Sequence, residues 1–156
     1  MKINLTQNKN FKLFKIISKV AQENNQTVYI VGGYVRDLLM QRKAPTDIDF
    51  VTEQSGIELA KAVGKELGNL KVSVFKTYGT AMIKYKDLDL EFVGARKESY
   101  SEDSRKPAVE TGTLEDDQKR RDFTVNALAI SLNAENFGEL IDPFSGREDM
   151  QNKILR

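Results

Sequence analysis

The stretch VYIVGGYVRDLLM, residues 28–40, constrains the fold more than any other. A β-branched apolar run ends at two adjacent glycines, and a charged, helix-competent segment begins at once. That order reads as a buried strand over 28–31, a tight turn at Gly32 and Gly33, and a short helix over 34–41. A second strand follows at 47–52, DIDFVT, after the polar stretch QRKAPT. The separation is short enough for neighbouring strands to bring the glycine turn and the acids of the second strand to one sheet edge. The remaining elements fit around this unit. An amphipathic helix spans 10–23, with Phe11, Phe14, Ile17 and Val20 at helical spacing. Ser55 caps a helix over 56–67 that stops at Gly68 and Asn69. A meander follows through VSVF, TAMIKY and DLDLEFV.

Residues 96–113 are polar and charge-mixed and read as a long mobile loop. Thr113 then opens a helix through LEDDQKRRDFTVNALA, with Glu115 and Asp116 in its first turn. Strand pairing around FGELIDPFSG and a terminal helix over REDMQNKIL close the chain. Strands and helices mixed in this way predict an α/β or α+β domain built on one mixed sheet.

The 156 residues suit one compact domain. A net charge of +1 gives no global pull toward nucleic acid or membrane, so any basic patch is local. No apolar run is long enough to span a bilayer, and the N-terminus has no apolar signal core, so the simple expectation is a cytoplasmic protein. Cysteine is absent, which excludes disulfides and agrees with a reducing compartment. Histidine is absent too, which excludes imidazole bases, Ser-His pairs and His-ligated zinc. Any chemistry falls to carboxylates, lysines, arginines, hydroxyls and backbone groups.

Four groups of residues can carry such chemistry. In the strand TDIDFV, Asp47 and Asp49 share a face, roughly 7 Å apart by strand rise. Two adjacent carboxylates repel unless a cation joins them, and hard oxygen donors at this spacing suit magnesium with a phosphate completing its shell. Gly32 and Gly33 let backbone approach a ligand closely, and Arg36, one turn on, can add a charged contact to phosphate. Glu91, deeper in its strand than Asp87 and Asp89, can supply a third carboxylate. On a continuous helix Asp122 and Asn126 share a face, beside Arg121 and next to an apolar face of Phe123, Ala127 and Ile130. Each group alone has an ordinary alternative: a solvated strand end, a tight turn, an exposed strand face, a charged helix.

Their order, however, resembles a known family. GGYVRD, TDID, ARKESY, GTLEDDQKRRDFTVNALA and LIDPFSGREDM, together running from Val28 to Arg156, look like the head domain of class II tRNA nucleotidyltransferases and bacterial poly(A) polymerases. The resemblance implies the nucleotidyltransferase fold of the DNA polymerase beta superfamily. It implies magnesium-dependent, template-independent transfer of CMP and AMP from CTP and ATP to the 3′ hydroxyl of tRNA, with poly(A) addition as the alternative. By position, Asp47 and Asp49 match the metal-binding, catalytic acid pair. Gly32, Gly33 and Arg36 fall in the nucleotide-binding glycine motif, and Arg121 matches the nucleotide-binding arginine of RRD. Asp122 and Asn126 match its acid and amide, on the ribose side. Glu91 falls where members often carry an acid. The loop over 96–113 matches a flexible element linked to the change of nucleotide. The family's heads are followed by a base-reading neck with an EDPLRxLR-like run, which does not occur here. The expectation is therefore a head domain over 1–156 without neck, body or tail, and a fragment that binds Mg-NTP without transferring it remains a rival.

Overall fold

The structure is a computed structural model describing residues 1–99 and 108–153, with side chains described outside 96–111. The chain begins with helix α1 (Phe11–Glu23), which buries Leu13, Phe14, Ile17, Val20 and Ala21, while Phe11, expected on the same stripe, is only partly buried. Strand β1 (Tyr29–Val31) leads through Gly32 into helix α2 (Gly33–Leu39). Strand β2 (Asp47–Thr52) and helix α3 (Gly56–Glu66) follow, and the Ser55 side chain accepts from the Glu58 N–H at 3.2 Å as the helix cap. The meander is β3 (Val72–Phe75), a single 3-10 turn (Lys76–Tyr78), β4 (Thr80–Tyr85) and β5 (Leu88–Gly94). Strands β6 (Arg96–Ser99) and β7 (Ala108–Thr111) precede helix α4 (Leu114–Lys119). Strands β8 (Ala129–Ser131) and β9 (Leu140–Ile141) and helix α5 (Gly146–Gln151) complete the described chain.

Seven strands form one sheet in the order β3-β4-β5-β2-β1-β8-β9. Its one parallel pair is β2–β5, so the sheet is mixed, as expected. The parallel register sets Asp49 opposite Glu91 and Phe50 opposite Phe92. Since side chains alternate, one face of this pair is apolar and the other acidic. On the inner face Ile30, Ile48, Phe50, Leu90, Phe92 and Ile130 are fully buried. They pack with Phe14 and Ile17 of α1 and Leu59 and Val63 of α3. The Phe50 and Phe92 rings stack at 5.0 Å, and Phe14 meets Phe50 edge-on at 6.3 Å. On the outer face a smaller cluster of Tyr29, Val31, Val51, Ala95 and Ala129 lies under Leu114 of α4.

Three expectations need correction. The helix expected to run continuously through LEDDQKRRDFTVNALA ends at Lys119; a 3-10 turn (Thr124–Asn126) and strand β8 take its place. Residues 127–132 are buried without a break because β8 is sandwiched inside the sheet. A strand buried on both faces reads as a plain apolar run, which periodicity cannot separate from a helix. The proposed helical face of Phe123, Ala127 and Ile130 therefore does not exist: Phe123 is exposed while the other two are buried. The loop expected over 96–113 is, at its two ends, an antiparallel ribbon with Arg96 opposite Thr111, and its centre, 100–107, lies outside the described residues. The terminal helix is shorter than REDMQNKIL suggests, with 154–156 outside the described residues.

Candidate active site

The acidic half of the site follows from strand register. Asp49 and Glu91 face outward side by side because their inward neighbours are the core of β2 and β5. Burial, then the charge of Glu91 and a hydrogen bond shared with it, push the Asp49 carboxyl up to about 6, with Asp47 adding to the effect and Arg121 opposing it. A buried carboxyl beside a second one favours its neutral form, and a cation placed between the two would relieve that. Asp47 is exposed at the start of β2, on the same strand face. Asp89, its register partner, pairs instead with Lys84 at 3.7 Å.

The basic half comes from three segments. Gly32 adopts φ 75° and ψ −139°, a conformation that favours glycine, and turns the chain from β1 into α2. A Cβ on Gly32 would sit 3.5 Å from Arg121 Nη1 and 3.9 Å from Asp49 Oδ2. A Cβ on Gly33 would sit 3.4 Å from Arg36 Nη2. The two glycines thus lie in contact range of both guanidinium groups, beside the acids. Arg36 donates from Nη1 to Asn126 Oδ1 at 2.9 Å and from Nε to Asp37 Oδ1 at 3.1 Å. Asn126 is thus brought to Arg36 by the 3-10 turn. Asp122, expected to share a helical face with Asn126, lies exposed in the bend that ends α4. The structure does not bring these two together in the helical i,i+4 relation.

Sequence reasoning missed the residue that organises the arginines. Asp117 is fully buried and accepts from Arg120 Nη2 at 3.0 Å and from Arg121 Nε and Nη2 at 3.1 and 3.0 Å. One buried carboxylate thereby aims two guanidinium groups along the outer face. The signal was present as i,i+3 and i,i+4 spacing in DQKRR, but it was not read. Helix α4 is itself fixed at several points. Thr113 and Asp116 form a capping box, Glu53 Oε2 accepts from the Leu114 N–H at 3.0 Å, and Gln118 donates to the carbonyls of Ala127 and Ile141.

Asp49 and Glu91, with Arg120 and Arg121 above them, line an open cleft of about 380 Å³ that Tyr78, Thr80 and Val93 complete. Carboxylates beside guanidinium groups make a place where phosphate oxygens meet a cation. Asp47, Asp49 and Glu91 are hard oxygen donors of the kind a divalent cation takes. Among the described residues no three such side chains are already gathered for an ion. The fit lies in donor chemistry: two or three carboxylate oxygens with room for water and phosphate, and an Asp49 carboxyl whose charged form burial and Glu91 disfavour and a cation would restore.

Comparison with known proteins bears on this arrangement. A family model described as the poly A polymerase head domain matches residues 28–156. An A-adding tRNA nucleotidyltransferase of Aquifex aeolicus is 47% identical over 128 residues, covering 82% of the chain and 15% of that protein. An A-adding tRNA nucleotidyltransferase of Halalkalibacterium halodurans is 36% identical over 151 residues, covering 96% of the chain and 35% of that protein. The chain thus spans about a third or less of the length of these relatives. Among solved structures, a tRNA-processing enzyme in an apo form superposes with a TM-score of 0.86 at 40% identity, covering 100% of the chain and 38% of that structure. A tRNA nucleotidyltransferase complexed with a primer tRNA and an incoming ATP analog superposes with a TM-score of 0.78 at 41% identity, covering 90% of the chain and 38% of that structure. The mixed α/β fold is therefore the nucleotidyltransferase fold of these enzymes.

Proposed function

The chain belongs to the poly A polymerase head-domain family, and from that membership we propose that it is the catalytic head of an RNA nucleotidyltransferase that transfers CMP and AMP from CTP and ATP to the 3′ hydroxyl of tRNA. The observation that carries this reading is the Asp49–Glu91 pair facing Arg121 across one cleft, beside the Gly32–Gly33 turn. The relatives are A-adding and CCA-adding enzymes by name, and one solved relative holds a primer tRNA and an ATP analog.

Within this reading, Arg36 and Arg121 hold the triphosphate. Asn126 and Asp117 fix the directions of their guanidinium groups, so little side-chain freedom is lost on binding. Gly32 and Gly33 keep the approach to those groups open. Asp47 and Asp49, with Glu91, would hold magnesium, which when bound neutralises phosphate charge and lowers the pKa of the attacking hydroxyl. Since the chain has no histidine, a carboxylate, Glu91 or Asp49, takes the role of accepting the hydroxyl proton. Asp122, exposed in the bend after α4, faces solvent and is assigned to the ribose side by motif alone. The head domain over 1–156 is the unit to which these roles are assigned.

The test is transfer and binding in parallel. Mg-ATP and Mg-CTP should raise the melting temperature of the chain, and Asp49→Asn should abolish that rise while the far-ultraviolet spectrum stays unchanged. In the whole enzyme Asp47→Asn and Asp49→Asn should each abolish nucleotide addition. Near-normal turnover in either variant refutes the metal role. A narrower second reading, addition of A alone, is favoured by the A-adding names of several relatives. Single-nucleotide incubations with two acceptors separate the cases: C added to RNA lacking the CC end together with A added to CC-ended RNA supports CCA addition, a single A on CC-ended RNA with no C on the shorter RNA supports the narrower activity, and a long A tail supports poly(A) synthesis.

A further inference from the structure

The cleft has two flanks, and the roles above occupy only one of them. Strand β2 carries Asp49 with β1 on one side and β5 on the other. The glycine turn and Arg36 lie at the end of β1, which assigns the nucleotide to that side. Glu91 stands on β5, and β4 lies beyond it, so that reading leaves the β5–β4 side for the attacking hydroxyl. On that side the outer face changes character. Thr80 lies opposite Val93 and also opposite Phe75 in the antiparallel registers, which sets Phe75 on the acidic face. Phe75 is 46% exposed, and Tyr78, whose ring lines the cleft, is 65% exposed. Gly79, with φ 64°, ends the 3-10 turn that carries Tyr78 out to the rim.

A tyrosine left this open serves no core. It lines the same cleft as Arg120, whose guanidinium Asp117 holds at 3.0 Å and to which the reading above gives no part in holding the triphosphate. An exposed aromatic ring and a fixed cation lining one cleft are the chemistry that binds single-stranded nucleic acid, the ring stacking on a base and the cation meeting a backbone phosphate. We infer that Tyr78 stacks on the terminal base of the acceptor RNA and Arg120 contacts its last phosphate, forming an acceptor subsite on the head domain itself. The inference rests on the transfer reading above. It places the 3′ end beside Glu91 and opposite the nucleotide.

The experiment uses a short single-stranded RNA whose 3′-terminal base is 2-aminopurine, a fluorophore quenched by stacking, titrated with the chain. Mg-ATP binding is measured on the same proteins by thermal shift. The unchanged chain should quench the terminal probe, and moving the probe to an internal position should weaken the response. Tyr78→Ala should weaken RNA binding roughly tenfold or more and remove the quenching. Tyr78→Phe, which keeps the ring, should retain both. Arg120→Gln should weaken binding with quenching at saturation preserved, and should lessen the salt dependence. Thermal shift by Mg-ATP should be the same for the Tyr78 variants and the unchanged chain. Three results overturn the inference: RNA binding indifferent to Tyr78→Ala, no quenching by the unchanged chain, or loss of Mg-ATP binding with RNA binding intact, which would make Tyr78 a contact of the incoming nucleotide. Absence of any Mg-ATP shift in the unchanged chain counts separately, against the transfer reading.

Discussion

The two faces of the β2–β5 pair are made from the same two strands and obey opposite rules. Inward, Ile48, Phe50, Leu90 and Phe92 are wholly buried against α1 and α3 and satisfy one another by contact alone. Outward, one residue out of phase, Asp49 is largely buried beside Glu91, and burial first and that neighbour's charge second raise its carboxyl to about 6. The inner face supplies the apolar burial that keeps the strands adjacent, and the outer face uses that adjacency to hold like charges together. Rigidity generated by one side is what makes the repulsion on the other possible.

The comparison can be broken most severely from the inside. Phe92→Ala removes a ring stacked on Phe50 and should cost about 3–5 kcal/mol, measured by denaturant unfolding. Nucleotide binding should fall with it, because the acids lose their fixed spacing. Gly32→Ala tests the rim. Its backbone lies where a side chain is strained, so a loss of roughly 1–3 kcal/mol is expected together with weaker Mg-ATP binding. An unchanged melting temperature would show that the turn relaxes freely.

The smallest effect has the opposite sign. The Asp49 carboxyl titrates near 6 in the folded chain, above its ordinary value of 3.8. Between those two values the folded state binds a proton that the unfolded chain has released, so stability falls as pH rises through this window and the full cost is present above it. Asp49→Asn should therefore stabilise the protein at pH 7 by about 1–2 kcal/mol, after allowance for partial solvent screening, while eliminating the proposed activity. The gain should shrink toward zero by pH 4. Denaturant midpoints at both pH values check the sign, and destabilisation at pH 7 would mean that Asp49 is a structural partner instead of a strained one.

Much of this was legible in the sequence because it depends on local rules. Alternation in DIDFVT and DLDLEFV separates acids from core residues whichever strands they join. The paired glycines mark the turn, and Ser55 and Thr113 mark helix starts by side-chain chemistry that acts over one turn. The segment after Lys119 was not legible. Its run of apolar residues fits a helix or a doubly buried strand equally well, and only the vacancy between β1 and β9 decides for the strand.

What the chain determined by itself was therefore the phase of each element: which residues face inward, where turns fall, and that without histidine any catalysis must be done by other groups. What the tertiary structure alone decided was partnership. Register across β2 and β5 set Asp49 against Glu91, the 3-10 turn delivered Asn126 to Arg36 across 90 positions, and burial of Asp117 turned two surface arginines toward one cleft. Periodicity is a property of consecutive residues, whereas a charge's partner is chosen by distance in space, and that distance exists only once the sheet has closed.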